Sequence, residues 1–408
     1  MRIVLVYQHF MVHGVGSTKP YDLARDLIAA GHDVTVLCGR GYLSQGVDVP
    51  KGLIRRLSVD GVRVICLGVD YRQEMGFVRR VAAFVSFAVL AMIVACRLRR
   101  YDVLVASSTP LTVGLVGLAA HYLRRIPYVF ELRDLWPEFP IRAGYLKNPL
   151  IIRISTFFER WFYRKAAAIL TISDWMRDRL IKRGIDAGKI IFIPTGVDYP
   201  SYRDATPDKQ WRADLGMSGT MLAIYVGAHG PSNGLDYLLD AAELLDAADG
   251  IRMVLIGDGA DKPHLMAEAR RRKLESITFL PPERRSEVPG ILKASDVALL
   301  IDKVVPGSEY GLPNKFFDYL AAGLPTISNT PAELWIYLKK HDCGVLVDSE
   351  QPRELADALR AFRDSPERAK QMGHNARELC EAQFDRKGLN RQLEALLDRV
   401  ASQRRKVR

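Results

Sequence analysis

The feature that most constrains this chain is a rhythm of short apolar runs and longer helical patterns that plays through once, breaks, and starts again. Ile3–Tyr7 suits a buried strand, and Thr18–Ala30 follows as a helix with Tyr21, Leu23, Ala24, Leu27 and Ile28 on one side. Gly31 ends that helix, and Asp33–Cys38 reads as the next strand. Further strands are expected at Val62–Leu67, Val103–Ser107, Tyr128–Leu132, Ala168–Ile172 and Ile190–Ile193. Alternation of this kind builds a parallel sheet covered on both faces. Residues 198–219 then turn polar, with Pro200, Pro207 and Gly216. The rhythm resumes at Leu222–Val226, Met253–Ile256, Ile277–Leu280, Val297–Leu300, Thr326–Ser328 and Gly344–Val347. A chain of 408 residues exceeds one ordinary core. The expectation is two α/β domains of Rossmann-like build, 1–197 and 198–384. A last helix and basic tail, 385–408, are left to pack back on the first domain or on the second.

Charge narrows the partners. The chain has 58 Lys and Arg against 47 Asp and Glu, a net charge of +11, which favours phosphates, nucleic acid or an acidic membrane face. Cys38, Cys66, Cys96, Cys343 and Cys380 are spaced too widely for a zinc or redox motif and read as buried thiols in a reducing compartment. Met1–Tyr7 has one basic residue and too short an apolar stretch for a secretory leader, so it reads as the first strand of a cytoplasmic protein.

Val81–Cys96 is sixteen residues without a charge, with Arg79 and Arg80 before it and Arg97, Arg99 and Arg100 after it. A membrane-spanning helix needs about 20 apolar residues. Three readings compete over 77–100: a span, a helix buried in the first domain, and a helix lying on a membrane. In the last, Phe77, Phe84, Phe87 and Leu90 meet lipid while Arg79 and Arg80 meet headgroups; the positive charge favours it. Nucleic acid is disfavoured, because the arginines gather around an apolar helix rather than among aromatics.

Four loops are candidates for holding a phosphorylated ligand. His13-Gly14-Val15-Gly16-Ser17-Thr18 joins the first strand to the first helix, where glycines admit a ligand to the backbone and a helix start offers N–H groups to an anion. It is not a complete dinucleotide fingerprint, since Lys19 interrupts the pattern, and Ser17 or Thr18 would also serve as a plain N-cap. Gly227-Ala228-His229-Gly230-Pro231-Ser232-Asn233-Gly234 holds the same position in the second domain, with Gly230 and Asn233 as ligand contacts and His229 as either a ligand contact or a structural residue. Gly257-Asp258-Gly259 ends another strand in a tight turn, with or without a ligand. The most specific is Gly311-Leu312-Pro313-Asn314-Lys315-Phe316-Phe317-Asp318-Tyr319-Leu320-Ala321-Ala322-Gly323-Leu324-Pro325. Pro313 suits a helix start. Lys315 then lies at the positive end of the dipole, where a diphosphate gains from both. Asp318, one turn on, is able to accept from vicinal ribose hydroxyls. The plain alternative is a surface ion pair.

Asp318 with Tyr319-Leu320-Ala321-Ala322-Gly323-Leu324-Pro325 resembles the E-[AY]-x-A-x-G-x-P helix of glycosyltransferase family 4. The Gly14/Gly16 loop, Ile193-Pro194-Thr195-Gly196-Val197-Asp198 and Gly257-Asp258-Gly259 agree with that family in order and spacing. Glu131-Leu132-Arg133-Asp134-Leu135-Trp136-Pro137-Glu138, Gly227-Ala228-His229-Gly230 and Pro313-Asn314-Lys315 look like a bacterial subfamily of O-antigen, capsule and exopolysaccharide assembly, some of whose members transfer N-acetyl-L-fucosamine. The resemblance implies a GT-B fold, two Rossmann-like domains facing each other across a cleft. It also implies a metal-independent hexosyltransferase without a cofactor, and retention of anomeric configuration. The chain departs from the broad family in three places. The glutamate expected eight residues before the ribose carboxylate is Tyr310, with Glu309 one residue off. Ala228 and Asn233 stand near the places of a family arginine and lysine, and Arg133 stands where a histidine is expected.

The reaction implied moves a sugar, an N-acetylated amino sugar in the subfamily's pattern, from a UDP-sugar to a polyprenyl-diphosphate-linked saccharide. It would take place at the inner face of the cytoplasmic membrane, on a cytoplasmic, peripherally bound protein. Charge growing on the leaving diphosphate would meet Lys315 and N–H groups near Gly14, Gly16 and Gly230. Asn314 and Asp258 complete the donor contacts. Glu131, Arg133, Asp134 and Glu309 are the candidates at the reacting centre, and His13 faces the acceptor. A structural ion pair is the alternative for Glu131, Arg133 and Asp134. Competing functions are a sugar-nucleotide epimerase or hydrolase of the same fold, and a non-catalytic sugar-nucleotide-binding scaffold on the membrane.

Overall fold

The computed structural model describes residues 1–12, 18–72, 75–142, 144, 146–304, 311–331 and 333–406. The chain divides into two units, Met1–Pro194 with Lys387–Arg408, and Thr195–Arg386. The first boundary lies three residues before the expected one. The cause is local: Val197 N–H donates to Phe384 O (2.9 Å), Arg386 N–H to Val197 O (2.8 Å) and Arg386 Nη2 to Gly196 O (3.0 Å), so the strand exit and the helix entry are tied within the second unit.

In the first unit the strands are β1 (Arg2–Tyr7), β2 (Asp33–Gly39), β3 (Ile54–Val59), β4 (Val62–Leu67), β5 (Val103–Ser107), β6 (Tyr128–Leu132), β7 (Ala168–Thr171) and β8 (Ile190–Phe192). They form one sheet in the order β3-β4-β2-β1-β5-β6-β7-β8, parallel except for β3, which pairs antiparallel with β4. The sequence reading left out β3. It hangs on a two-residue turn, Asp60 and Gly61, both at positive φ, the geometry that matches hairpin twist.

Helices cover both faces. Against one lie α1 (Lys19–Ala29) and the C-terminal helix Arg386–Lys406: Leu23, Leu27, Leu389, Leu393, Leu397 and Val400 share a core with Ile3, Leu5 and Tyr7. Asn390 Nδ2 bonds Asp26 (2.7 Å) and Glu394 bonds His32 (2.8 Å), which ties that last helix to the first unit. The other face carries α2 (Phe77–Arg97), α3 (Gly114–Arg124) and α4 (Pro149–Lys165), packed side by side. Contact there is close: a Cβ at Gly117 would meet the Tyr128 ring at 2.5 Å, and one at Gly114 the Phe162 ring at 2.3 Å.

The α2 helix is the one described helix long and apolar enough to cross a membrane. Its Phe87, Ala88, Ala91 and Ala95 are fully buried in the domain. The lipid-facing set read from the sequence is therefore corrected. Phe87 is a core residue, and Phe84 is half-buried, stacked on Tyr71 with ring centroids 5.4 Å apart. Large rings fill the space against the sheet, and the outward stripe is valine: Val78, Val81, Val85, Val89 and Ile93 are exposed at helical spacing. Arg79 is exposed and Arg80 half-buried. The side chain of Phe77 lies outside the described ones.

The second unit has β9 (Met221–Val226), β10 (Ile251–Ile256), β11 (Ile277–Leu280), β12 (Val297–Leu300), β13 (Thr326–Ser328) and β14 (Gly344–Leu346), all parallel in the order β11-β10-β9-β12-β13-β14. Its core gathers Tyr225, Leu238, Leu255, Leu299, Ile327, Leu355 and Leu359. The helix α5 (Asn314–Ala322) follows Pro313 and stops at Gly323, whose φ of +75° makes it a left-handed cap.

Candidate functional site

In the second unit the strand order reverses at β9, which has β10 on one side and β12 on the other. Open α/β sheets bind ligands outside the C-terminal strand ends at such a reversal. Asp302, two residues past β12, organises this point. Its Oδ1 accepts from Lys315 Nζ at 3.0 Å and from Asn233 Nδ2 at 3.2 Å. Its main chain exchanges bonds with the Asn329 side chain, both at 3.1 Å. The other end of Asn233, Oδ1, accepts from Gly230 N–H at 3.2 Å. Lys315 also donates to Ile301 O (3.1 Å) and lies 4.7 Å over the Tyr225 ring. Burial pulls its pKa down, and the neighbouring Asp302 charge works against that. Lys315 occupies the first turn of α5, which no side chain caps among the described residues, and Asn314 is exposed at the helix start. Gly230, Asn233, Asn314 and Lys315 are thus brought together at the switch point. Asp302 and Asn329 are additions; the signal for both was a polar residue within two positions of a strand's C-terminal end.

Asp318 is turned to other partners. Its Oδ1 accepts from Tyr202 Oη (2.9 Å) and Arg285 Nη2 (2.6 Å), and its Oδ2 from Arg285 Nη1 (2.9 Å). Arg285, in the loop after β11, was not singled out from the sequence, and neither was Tyr202. An ionised carboxylate has about four lone-pair sites, so this one is oriented by three bonds with one site left over.

The Gly227–Gly234 loop and the Gly257–Gly259 turn pack on each other. A Cβ on Gly257, at φ +147°, would stand 1.8 Å from Gly227 O, and one on Gly259 2.3 Å from His229 O. His229 N–H donates to Asp258 O and Asp261 N–H to His229 O, both at 2.9 Å. Gly257 and Gly259 are glycine because the neighbouring loop's backbone occupies the Cβ space, which the sequence reading had left to a ligand. Asp258 is exposed, its Oδ1 accepting from Gly259 N–H at 2.8 Å. His229 is corrected to the structural alternative. It is fully buried between Tyr225 and Phe279, with no partner for either ring nitrogen among the described residues. Its ring holds the two loops together rather than meeting a donor.

That placement has a pH signature. Burial, helped by the Lys262 charge, lowers the His229 pKa from 6.5 to about 4. Between those values the unfolded chain binds a proton that the folded one refuses, so stability falls as pH drops from 6.5 toward 4. His229→Phe removes this loss. Its unfolding midpoint relative to the parent is expected to rise as pH is lowered through that window, and to stay within about 1.5 kcal/mol of the parent at pH 7.5. Urea titrations at several pH values check this; a constant difference would remove the buried-neutral reading.

In the first unit the β1, β5 and β6 ends converge. Glu131, 2% exposed, accepts from Lys19 Nζ (3.0 Å) and Tyr7 Oη (2.7 Å). Burial alone would raise its pKa, but the charges of Lys19 and Arg133 and the bonds from Tyr7 and Ser107 outweigh that and hold it at about 2. Glu131 is therefore placed in a buried ion pair with Lys19, the structural alternative to a reacting group. Its partner Lys19 was read only as the residue that interrupts the glycine pattern. Arg133 N–H donates to Ser108 Oγ (3.2 Å), and Asp134, exposed, accepts from Thr109 Oγ1 (2.8 Å). Burial, helped by the Arg133 charge, lowers the His9 pKa to about 4. His13, Gly14, Gly16, Glu309 and Tyr310 lie outside the described residues. Among the described residues one His and acid group has metal-ligand spacing, His32, Glu394 and Asp398, at the opposite end of the strands, where His32 is bonded to the Met1 amino group and Glu394.

Residues 16–196 match the glycosyl transferase 4-like domain, and residues 208–379 match glycosyl transferases group 1. WcaI of Escherichia coli K12, whose name assigns it to colanic acid biosynthesis as a glycosyl transferase, is 28% identical over 185 residues, 44% of this chain and 45% of WcaI. D-inositol 3-phosphate glycosyltransferase of Segniliparus rotundus is 27% identical over 195 residues, 46% of this chain and 42% of that protein. The chain thus spans less than half the length of these curated relatives in the matched regions. The crystal structure of Anabaena Alr3699/HepE in complex with UDP superposes at a TM-score of 0.72 and 16% identity, covering 98% of this chain and 100% of that one. The fold is GT-B.

Proposed function

We propose that this chain, whose two units carry a glycosyl transferase 4-like domain and a glycosyl transferases group 1 domain, moves a sugar from a UDP-sugar to a lipid-linked saccharide in bacterial surface polysaccharide synthesis. The observation that carries the reading is the bonded set Gly230, Asn233, Asp302 and Lys315 at the strand reversal, with an uncapped helix start beside it. Helix N–H groups and a buried lysine suit a diphosphate, whose charge grows as the sugar leaves. Asp318 holds the ribose hydroxyls, oriented by Arg285 and Tyr202. The Anabaena structure with UDP supports the nucleotide, and the WcaI name supports the polysaccharide setting.

Lys315 supplies at the phosphates the charge that a divalent ion supplies elsewhere, which supports transfer without a metal. With configuration retained, the acceptor attacks from the leaving-group side and the phosphate takes its proton. Arg133 and Asp134, at the end of β6, orient the donor sugar and acceptor. The donated sugar is an N-acetylated amino sugar, the acceptor a polyprenyl-diphosphate saccharide, and the site of action the inner face of the cytoplasmic membrane.

A thermal-shift screen over UDP- and GDP-sugars, followed by transfer assays with lipid-linked saccharides, tests this. The expected result is stabilisation by UDP-sugars and acceptor-dependent UDP release. Product formation without acceptor would indicate an epimerase or hydrolase, and donor binding without turnover a scaffold; either overturns the proposal.

A further inference from the structure

The chain's net charge is carried by three segments. Residues 77–100, 114–126 and 147–165 hold 12 basic residues and one acidic, while the rest of the chain balances at 46 and 46. These segments contain α2, α3 and α4, which pack side by side on one face of the first sheet. The single acid, Glu159, is fully buried and bonded to Arg183 and Tyr163, so this surface presents no carboxylate.

The same face is apolar. The α2 stripe of Val78, Val81, Val85, Val89 and Ile93 runs between arginines at both helix ends, with Val78 79% exposed. On α4, Leu150, Ile154 and Phe157 are exposed. An aromatic string bridges α3 to α4: Trp161 Nε1 donates to Tyr122 Oη (3.3 Å), Phe157 lies 5.9 Å from Trp161, and Lys165 Nζ lies 5.6 Å from the Tyr122 ring. Aromatic rings with one polar end and arginines with long apolar stems are the side chains that settle at a lipid headgroup boundary.

We infer that the outer face of α2, α3 and α4 docks on an anionic bilayer, the three helices lying in the plane of the headgroups. The surface deepens the proposed function by naming where the lipid-linked acceptor is met, and in that sense rests on it. The charge selects the occupant. A second copy of this face would set like charges against like, and a neutral bilayer would leave the arginines without counter-charge.

The test uses the full chain and sedimentation with phosphatidylcholine vesicles, with and without phosphatidylglycerol. Binding to the anionic vesicles is expected to weaken with salt and to fall about tenfold or more in Val81→Glu/Val85→Glu/Val89→Glu, in Phe157→Glu and in Arg97→Glu/Arg99→Glu/Arg100→Glu. Parent-like binding by all three variants would overturn the surface. So would a parent dimer that becomes monomeric in the valine variant with vesicle binding intact. UDP binding by thermal shift without vesicles separates this from the transfer reading. Variants that lose vesicles but keep UDP support the surface, whereas a parent that binds vesicles but not UDP sinks the transfer reading alone.

Discussion

Asp318→Ala is expected to lower kcat/KM for sugar transfer by about one to two orders of magnitude while the protein stays folded. The size follows from one hydrogen bond between a ribose hydroxyl and the remaining lone-pair site of a charged acceptor, about 1.5–3 kcal/mol. The fold survives because of what the carboxylate leaves behind. The Arg285 side chain is 39% exposed and regains water; Tyr202 Oη, buried, loses one partner at a cost of about 1 kcal/mol. The thermal midpoint therefore drops by only a few degrees. Asp318→Asn keeps one acceptor oxygen and should fall between parent and alanine. Arg285→Ala leaves the carboxylate without its bidentate partner and is expected to raise KM for the donor about tenfold with little change in kcat, the mark of a positioning residue. Steady-state kinetics on all three variants decide the matter, and near-normal turnover by Asp318→Ala would remove the ribose assignment.

The parts legible in the sequence were those fixed by local chemistry. Apolar periodicity located thirteen of the fourteen strands among the described residues, and Pro313 and Gly323 bracketed a helix that runs from Asn314 to Ala322. β3 escaped although its Asp60-Gly61 turn is a strong hairpin signal, because its Ile54-Arg55-Arg56-Leu57 pattern is too polar to resemble the buried strands around it. Partners far apart in sequence were not legible. Arg285 meets Asp318 across 33 residues, Lys315 meets Asp302 across 13, and Lys19 meets Glu131 across 112. Motif reasoning found one member of each pair and took it to be free for chemistry. The outward face of α2 failed for a different reason. Aromatic residues were assigned to lipid on chemical type, yet the sheet needed their volume, and the smaller valines were turned outward.

Lys19→Met is expected to destabilise the first unit by about 3–5 kcal/mol, the largest stability effect predicted for a single substitution in this protein. The methionine fills the space of the lysine stem, so packing is largely kept, but the Glu131 carboxylate, 2% exposed, is left buried without its ammonium partner. The single and the double variant are not equivalent. Lys19→Met strands a charge, whereas Lys19→Met with Glu131→Gln strands none and should recover most of the loss, since a neutral amide still accepts from Tyr7. The pH dependence identifies the cause. Glu131 has its folded pKa depressed to about 2 from an ordinary 4.5, so in the parent its stabilisation is complete above 4.5 and is lost as pH falls through 2. In Lys19→Met the burial penalty meets weaker opposition, from Arg133 and the hydroxyls, and the carboxyl titrates upward. The difference between parent and variant should thus be full at neutral pH and shrink on acidification as the variant's Glu131 takes up a proton while the parent's stays ionised down to about 2. Urea unfolding at pH 7.5, 5 and 4, monitored in parent, single and double variants, reads this out. A pH-independent difference would point to lost packing around the lysine stem instead of a stranded charge, and Glu131 would then return to the candidates for the reacting centre.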